Sequence, residues 1–290
     1  WAANRHVQTL WGKLLRPPAS IPTRRERWDT PDDDFIDLHR LDAPVGRPRI
    51  LALHGLEGTI RSHYLAGILS EAHARGWGAD IMLFRSCGPD PNRAARLYHS
   101  GETSDLDYVV RRIAAEHAGS PVAIAGFSLG GNVLLKWLGE QGAHVPNSVR
   151  ATCAVSVPFD LARSADHICR GFARVYQAHF LRSLRRKTVA KLRRYPGLVD
   201  SRLLAGARTI RDFDEVVTAR IHGFAGADDN YERSSSIRWL ERIRVPTLLL
   251  SSADDPFLPT EVLREVEGIA RRNPALQIDF TERGGHVGFV

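Results

Sequence analysis

Cysteine is scarce in this chain, and what there is does not pair. Cys87, Cys153 and Cys169 are an odd set of three in 290 residues, with no C-x-x-C spacing, which argues against a disulfide scaffold and a structural zinc site. Free thiols of this kind suit a reducing, cytoplasmic compartment. Long apolar runs are missing as well: nothing approaches the roughly 18 residues that a membrane-spanning helix needs. No charged segment leads from Trp1 into an apolar stretch, so a signal peptide is expected to be absent or already removed. Internal repeats are also lacking, which excludes solenoids and propellers. Neither an H-E-x-x-H pair nor an EF-hand loop occurs, so no metal or other cofactor is expected.

What is present is ordinary globular composition, 43% hydrophobic and 25% charged, in a length that fits one large α/β domain with an insertion. The net charge of +7 is unevenly placed. From Arg163 to Arg211 there are 13 lysines and arginines against Asp166 and Asp200, a local excess of +11.

Short apolar, β-branched runs at Ile50 to Leu53, Ile81 to Phe84, Val122 to Ala125, Ala151 to Val157, Thr247 to Leu250 and Leu276 to Phe280 read as buried strands. Helix-length stretches lie between them, at Ser62 to Arg75, Ser104 to His117, Gly131 to Gln141 and Pro259 to Arg272. Ser104 is the expected N-cap of the second, with Asp105 and Asp107 suiting its dipole. Such alternation predicts a mostly parallel sheet covered on both faces. Arg25 to Trp28 and Asp34 to Leu41 read as an edge hairpin, with Asp32, Asp33 and Asp34 in a solvated turn.

The alternation breaks from Pro158 to Arg244. This predicts a core of residues 1–157 and 245–290 interrupted by a basic, mainly helical cap over 158–244. Within it Phe172, Tyr176, Phe180 and Leu184, flanked by Val175 and Leu181, form the apolar stripe of an amphipathic helix. Arg174, Arg182, Arg185 and Arg186 lie outside the stripe.

The chemistry sits at Gly126-Phe127-Ser128-Leu129-Gly130, a G-x-S-x-G elbow between an apolar strand and a helix. Side chains at 126 and 130 would collide with the neighbouring strand and helix on so tight a turn. Ser128 needs a base held by a carboxylate, expected in the chain order serine, acid, histidine. His286, on the glycine-rich loop after the last strand, is the candidate base. Asp254 and Asp255 both follow a strand end, and spacing does not choose between them. Backbone N–H groups of Leu129 and of Leu56, in the His54-Gly55-Leu56-Glu57-Gly58 loop, are the expected oxyanion donors.

With these residues in place, the sequence resembles the α/β-hydrolase superfamily, in its YheT-like branch, which also includes eukaryotic abhydrolase-domain lipid hydrolases. The resemblance rests on Asn4 to Leu10, His54 to Gly58 with Arg61 to Tyr64, Tyr98 to Thr103, the elbow, Arg170 to Tyr176, Ile221 to Phe224, Asp254 to Phe257 and Gly284 to Phe289. It implies a Ser128-Asp255-His286 triad, with Asp254 second in line for the acid, and ester hydrolysis without a cofactor. Where relatives tend to read R-G-C-S-G, this chain has Arg85-Ser86-Cys87-Gly88-Pro89. Relatives also continue into a final helix after the histidine loop, so further chain is expected beyond Val290.

Cys87 is expected to be structural, and His54 and His99 to belong to turns or networks. The basic cap reads either as a solvated face or as a contact for anionic lipid, and no motif accompanies it that would suggest nucleic acid. Three functional readings follow: a serine ester hydrolase acting on a small ester or lipid, an acyltransferase with the same residues, and a non-enzymatic anionic-surface-binding protein.

Overall fold

The central strands form where short apolar, often β-branched runs interrupt charged, helix-favouring sequence, whereas the edge strand Arg24–Asp29 is itself mostly charged. In the computed structural model, which describes residues 4–15 and 21–289, these runs form one eight-stranded sheet in the order β1-β2-β4-β3-β5-β6-β7-β8. The strands are β1 (Arg24–Asp29), β2 (Phe35–Leu41), β3 (Arg49–Leu53), β4 (Gly78–Leu83), β5 (Val122–Phe127), β6 (Val149–Val155), β7 (Thr247–Ser252) and β8 (Leu276–Thr281). From β4 through β8 all pairings are parallel, while β2 runs antiparallel to both β1 and β4. The edge hairpin and the parallel, doubly covered sheet are thus as the alternation predicts. Trp1 and Val290, the expected outer limits of the core, lie outside the described residues.

Helix α1 (Arg5–Leu15) precedes the sheet, and α2 (His63–Ala74), α3 (Ser104–Glu116) and α4 (Leu129–Gln141) follow β3, β4 and β5. Period-two alternation sends neighbouring side chains to opposite faces. Leu51 and Leu53 of β3 pack with Leu106, Val109 and Val110 of α3 and Val133 and Leu134 of α4. Ala52 packs on the other face with Leu65, Leu69 and Ala72 of α2.

Two local expectations are corrected. Ser104 does not cap α3: it is the first helical residue, the cap position is Thr103, and the Ser104 hydroxyl donates to Glu102. Nor is the aspartate turn simply solvated. Asp34 is fully buried, and Arg85 donates to Asp32 and Asp34 at 2.7 Å each and to Asp105 at 2.6 Å. A buried guanidinium draws carboxylates from two distant segments because it cannot be left unpaired. Asp32 and Asp33 stay exposed, Asp33 in the left-handed region at φ +57.

Between β6 and β7 the chain runs through α5 (Leu161–His167), α6 (Ala173–Arg194), α7 (Ser201–Gly206), α8 (Ile210–Phe213), a π-turn (Asp214–Thr218), α9 (Ala219–His222) and α10 (Ala227–Ser234). The expected stripe on α6 is only partly realised: Tyr176, Leu181 and Leu184 are buried, but Phe172 and Val175 are 52% and 57% exposed. A step of four residues overshoots a helical turn by about 40°, so a strict four-residue repeat cannot stay on one face. Gln177, Thr188 and Lys191 complete the buried side. The last helix, α11 (Thr260–Ala270), packs Val262, Leu263 and Val266 on the α3 and α4 face.

Candidate active site

The elbow owes its shape to backbone crowding. Ser128 sits at φ +53, ψ −121 between the end of β5 and the start of α4, a conformation that L residues adopt only when the surroundings impose it. A Cβ on Gly126 would lie 2.6 Å from the Gly130 carbonyl oxygen, and one on Gly130 would lie 2.5 Å from that of His54. Both glycines are therefore required by their neighbours, as the motif's spacing suggests.

Ser128 Oγ donates to His286 Nε2 at 2.9 Å, and His286 Nδ1 donates to Asp255 Oδ2 at 2.8 Å. The structure thus brings together Ser128, His286 and Asp255 from three separate strand ends. Asp255 is buried, and its other oxygen accepts the Phe257 N–H at 2.8 Å. Asp254 does different work: its Oδ1 accepts the N–H groups of Gly284 and Gly285, each at 3.0 Å, and so shapes the histidine loop.

Leu56 borders the same cavity as Ser128, Leu129 and His286. Its loop is pressed against the serine, since a Cβ on Gly55 would stand 3.1 Å from Ser128 Cβ. The Gly55 N–H donates to Tyr64 Oη at 2.9 Å, which ties this loop to α2.

Several supports were not singled out from the sequence. Thr9 of α1 accepts the His286 N–H at 2.9 Å and donates to the Arg5 carbonyl at 2.7 Å. Ser156, just past β6, accepts the Val287 N–H at 3.0 Å. Glu57, Ser86, Ser128, Ser156, Val287 and Phe289 all have positive φ, and each lies in a loop beyond the carboxyl end of a strand. Strained backbone gathered at one edge of a sheet marks where function is placed, but strain of this kind leaves no mark in residue types.

The remaining expectations concern the network residues. Cys87 is buried, its thiol pushed up to about 11 by desolvation, and it accepts a hydrogen bond from Lys187 Nζ at 3.1 Å. At its flank Ser86 takes φ +62 and donates to Asn92, while a Cβ on Gly88 would lie 2.7 Å from Asp37 Oδ2. His54 is wholly buried, with Nδ1 donating to the Gly55 carbonyl at 2.7 Å and Nε2 accepting the Phe84 N–H at 3.1 Å. His99, Glu102 and His222 approach one another closely enough to suggest a metal site. Two of the three are already engaged by other groups, however. His99 Nδ1 accepts the Gly101 N–H, which leaves the proton on Nε2, and Glu102 is held by Arg96 and Ser104.

Ser128 lies between two openings. One is a narrow cavity of about 90 Å³ lined by apolar groups such as Leu129, Ile168, Phe180 and Phe257. It is also bordered by Asp214, whose carboxyl is pushed up to about 6 by burial and accepts from Thr218 at 2.6 Å and Tyr231 at 2.7 Å. The other is wider, about 330 Å³, and includes Arg61, His63, Tyr64 and His179. A separate groove of about 690 Å³ runs along α6, lined by Arg182, Arg185, Arg186, Arg193 and Arg208.

The sequence profile of the alpha/beta hydrolase fold matches residues 48–289. Among curated proteins, the chain is 40% identical over 293 residues to "Putative esterase YheT" of Escherichia coli (strain K12), with 99% of this chain and 85% of that protein covered. It is 28% identical over 300 residues to the phospholipase ABHD3 of Mus musculus, covering 100% of this chain and 72% of that protein. Among solved structures, the Pyrococcus furiosus esterase Pf2001 shares the fold with a TM-score of 0.60 at 16% identity, over 92% of this chain and 85% of that one. The chain belongs to the alpha/beta hydrolase fold family, in the branch that contains the Escherichia coli YheT protein.

Proposed function

We propose that this protein is a serine hydrolase of carboxylic acyl esters, with Ser128 as nucleophile, His286 as general base and acid, and Asp255 holding the imidazole. The observation that carries this reading is the row of hydrogen bonds from Ser128 through His286 to Asp255 at 2.9 and 2.8 Å. Ser128 attacks the ester carbonyl as His286 Nε2 takes its proton, and Asp255 stabilises the imidazolium. The N–H groups of Leu56 and Leu129 receive the oxyanion. His286 returns the proton to the leaving alcohol, and water, activated in the same way, releases the acid and restores Ser128. Relatives named as esterase and phospholipase support ester hydrolysis as the reaction class.

The narrow apolar cavity receives the acyl chain, and the wider, more polar opening takes the alcohol part. Residues 158–244 act as a cap that shapes both openings, since Pro158, Ile168, Ile210 and Tyr231 line the narrow one, Tyr176 and His179 the wider one, and Phe180 both. Labelling with a fluorophosphonate, followed by mass spectrometry, tests the assignment. An adduct on Ser128 that Ser128→Ala abolishes, with free acid as the product from acyl esters, is the expected result. An esterase activity that survives Ser128→Ala sinks the assignment, and ester products in the presence of alcohols would favour acyl transfer.

A specific feature favours peripheral contact with an anionic membrane as the setting. Helix α6 carries eight lysines and arginines and no acidic residue, and desolvated apolar groups beside cations suit anionic headgroups. Co-sedimentation with phosphatidylglycerol vesicles, weakened by salt and by Arg182→Glu with Arg186→Glu, is expected; equal binding to neutral vesicles would count against it. No described helix is long and apolar enough to cross a membrane. The free cysteines support a reducing, cytoplasmic location.

A further inference from the structure

Next to Leu56 stands a buried glutamate that the ester-hydrolase reading does not use. Glu57 holds φ +56 without being glycine, a conformation that persists only where its surroundings impose it. Its backbone and its side chain are both gripped. The Glu57 N–H donates to Tyr98 Oη at 2.8 Å, and the Tyr98 hydroxyl donates back to Glu57 Oε1 at 2.8 Å. Lys187 Nζ donates to Oε1 at 2.7 Å, and the Ser183 hydroxyl donates to Oε2. Ser183 and Lys187 are one turn apart on α6, so a helix distant in sequence takes hold of the loop beside the nucleophile. The glutamate side chain is only 5% exposed and that of lysine 18%, a setting in which an ion pair is screened little by water.

We propose that Glu57, clamped by Lys187 and Ser183 of α6, is a positioning residue for the oxyanion hole. The clamp holds the Leu56–Glu57 backbone in its left-handed turn and thereby aims the Leu56 N–H at the oxygen that becomes negative in the transition state. A donor fixed in advance stabilises that charge without reorganisation, whereas a loop free to relax must be ordered anew in each turnover. The pair touches no reacting atom and acts through Leu56. This inference rests on Ser128 being the nucleophile, and its test separates the two claims.

The experiment compares wild type, Lys187→Met, Lys187→Arg and Ser183→Ala in hydrolysis of p-nitrophenyl butyrate. It also measures inhibition by a trifluoromethyl ketone, which becomes an oxyanion mimic on Ser128, and the thermal unfolding of each protein. Expected for Lys187→Met is a kcat lower by about 10- to 100-fold, less than the loss of a whole oxyanion donor, with KM within about threefold. Affinity for the ketone should fall in proportion to kcat/KM, and Lys187→Arg should recover most of both. Should Lys187→Met fail to fold, Ser183→Ala carries the test, with a severalfold loss in kcat and in ketone affinity. A variant that folds and keeps wild-type kcat, or loses kcat while retaining full ketone affinity, overturns the proposal. A wild type that takes no fluorophosphonate on Ser128 instead overturns the ester-hydrolase reading beneath it.

Discussion

The Ser156 hydroxyl accepts the Val287 N–H at 3.0 Å, joining the end of β6 to the residue that follows His286. Both residues lie at positive φ, +51 and +55, so the bond ties two strained turns together. It spans 131 residues of chain and holds the histidine loop at the residue next to the one that Thr9 holds. Ser156→Ala removes the acceptor and leaves a buried N–H unpaired, a loss of about 1 to 3 kcal/mol. The expected result is kcat/KM lower by about tenfold, since small displacements of a base are costly to rate. Steady-state kinetics beside calorimetry check it; an unchanged rate would show that the loop is held without this bond.

Asp254 and Asp255 are adjacent and do unlike things, so the same substitution should affect them very differently. Asp255→Asn leaves His286 without its anionic partner, and a fall in kcat of about 10³- to 10⁴-fold is expected from the known behaviour of such triads. Asp254→Asn keeps an oxygen to accept from Gly284 and Gly285, and activity within about threefold of wild type is expected, a loss on the scale of one weakened neutral hydrogen bond. Comparable losses in the two variants would refute the division of labour.

Arg85 is the shared cation of Asp32, Asp34 and Asp105, with Asp34 and Asp105 buried. Arg85→Met strands two buried carboxylates and should destabilise the fold by about 3 to 5 kcal/mol, the usual result of breaking one side of a buried ion pair. Denaturant unfolding measures this directly, and a shift below 1 kcal/mol would mean that the aspartates find water or other donors.

Gly130 approaches carbonyl oxygens of His54 at 2.5 Å and Leu53 at 2.7 Å, measured to the place a Cβ would take. Both are backbone atoms at the end of β3 and cannot swing aside. Gly130→Ala should therefore push α4 off β3, with a stability loss of about 1 to 3 kcal/mol and loss of fluorophosphonate labelling. Normal labelling with an alanine at 130 would show that the elbow has room to yield.

His54 donates from Nδ1 and accepts at Nε2, so a second proton would set a donor against the Phe84 N–H. Burial lowers its pKa from 6.5 to about 4. Between these values the unfolded chain holds a proton that the folded chain refuses, so this contribution to stability is complete above pH 6.5 and declines as the pH falls toward 4. Imidazole ¹⁵N shifts should show His54 neutral at pH 5; a doubly protonated ring there would contradict the assignment.

Much of the site was visible in the order of residues. The strand before Ser128, the glycines around it and the glycine-rich loop at His286 are local signals, because a tight turn excludes side chains wherever it occurs. The alternation that places β3 to β8 is local for the same reason: period two and helical periodicity are read within one segment. Ser104 misled because hydroxyls favour cap positions only statistically, and here Thr103 takes the cap position and no side chain bonds to the helix end. The aspartates of the turn misled because three acids together resemble solvated sequence, and the arginine that buries Asp34 lies 51 residues away.

The sequence by itself determined the family, the parallel sheet, the elbow and the two candidate acids. Only the tertiary structure decided that Asp255 faces His286 while Asp254 holds the loop, that Ser156 and Thr9 anchor that loop, and that Lys187 reaches Glu57 across 130 residues. The physical reason is that patterning reports which face of an element is buried, whereas a hydrogen bond between distant residues depends on how several elements pack at once.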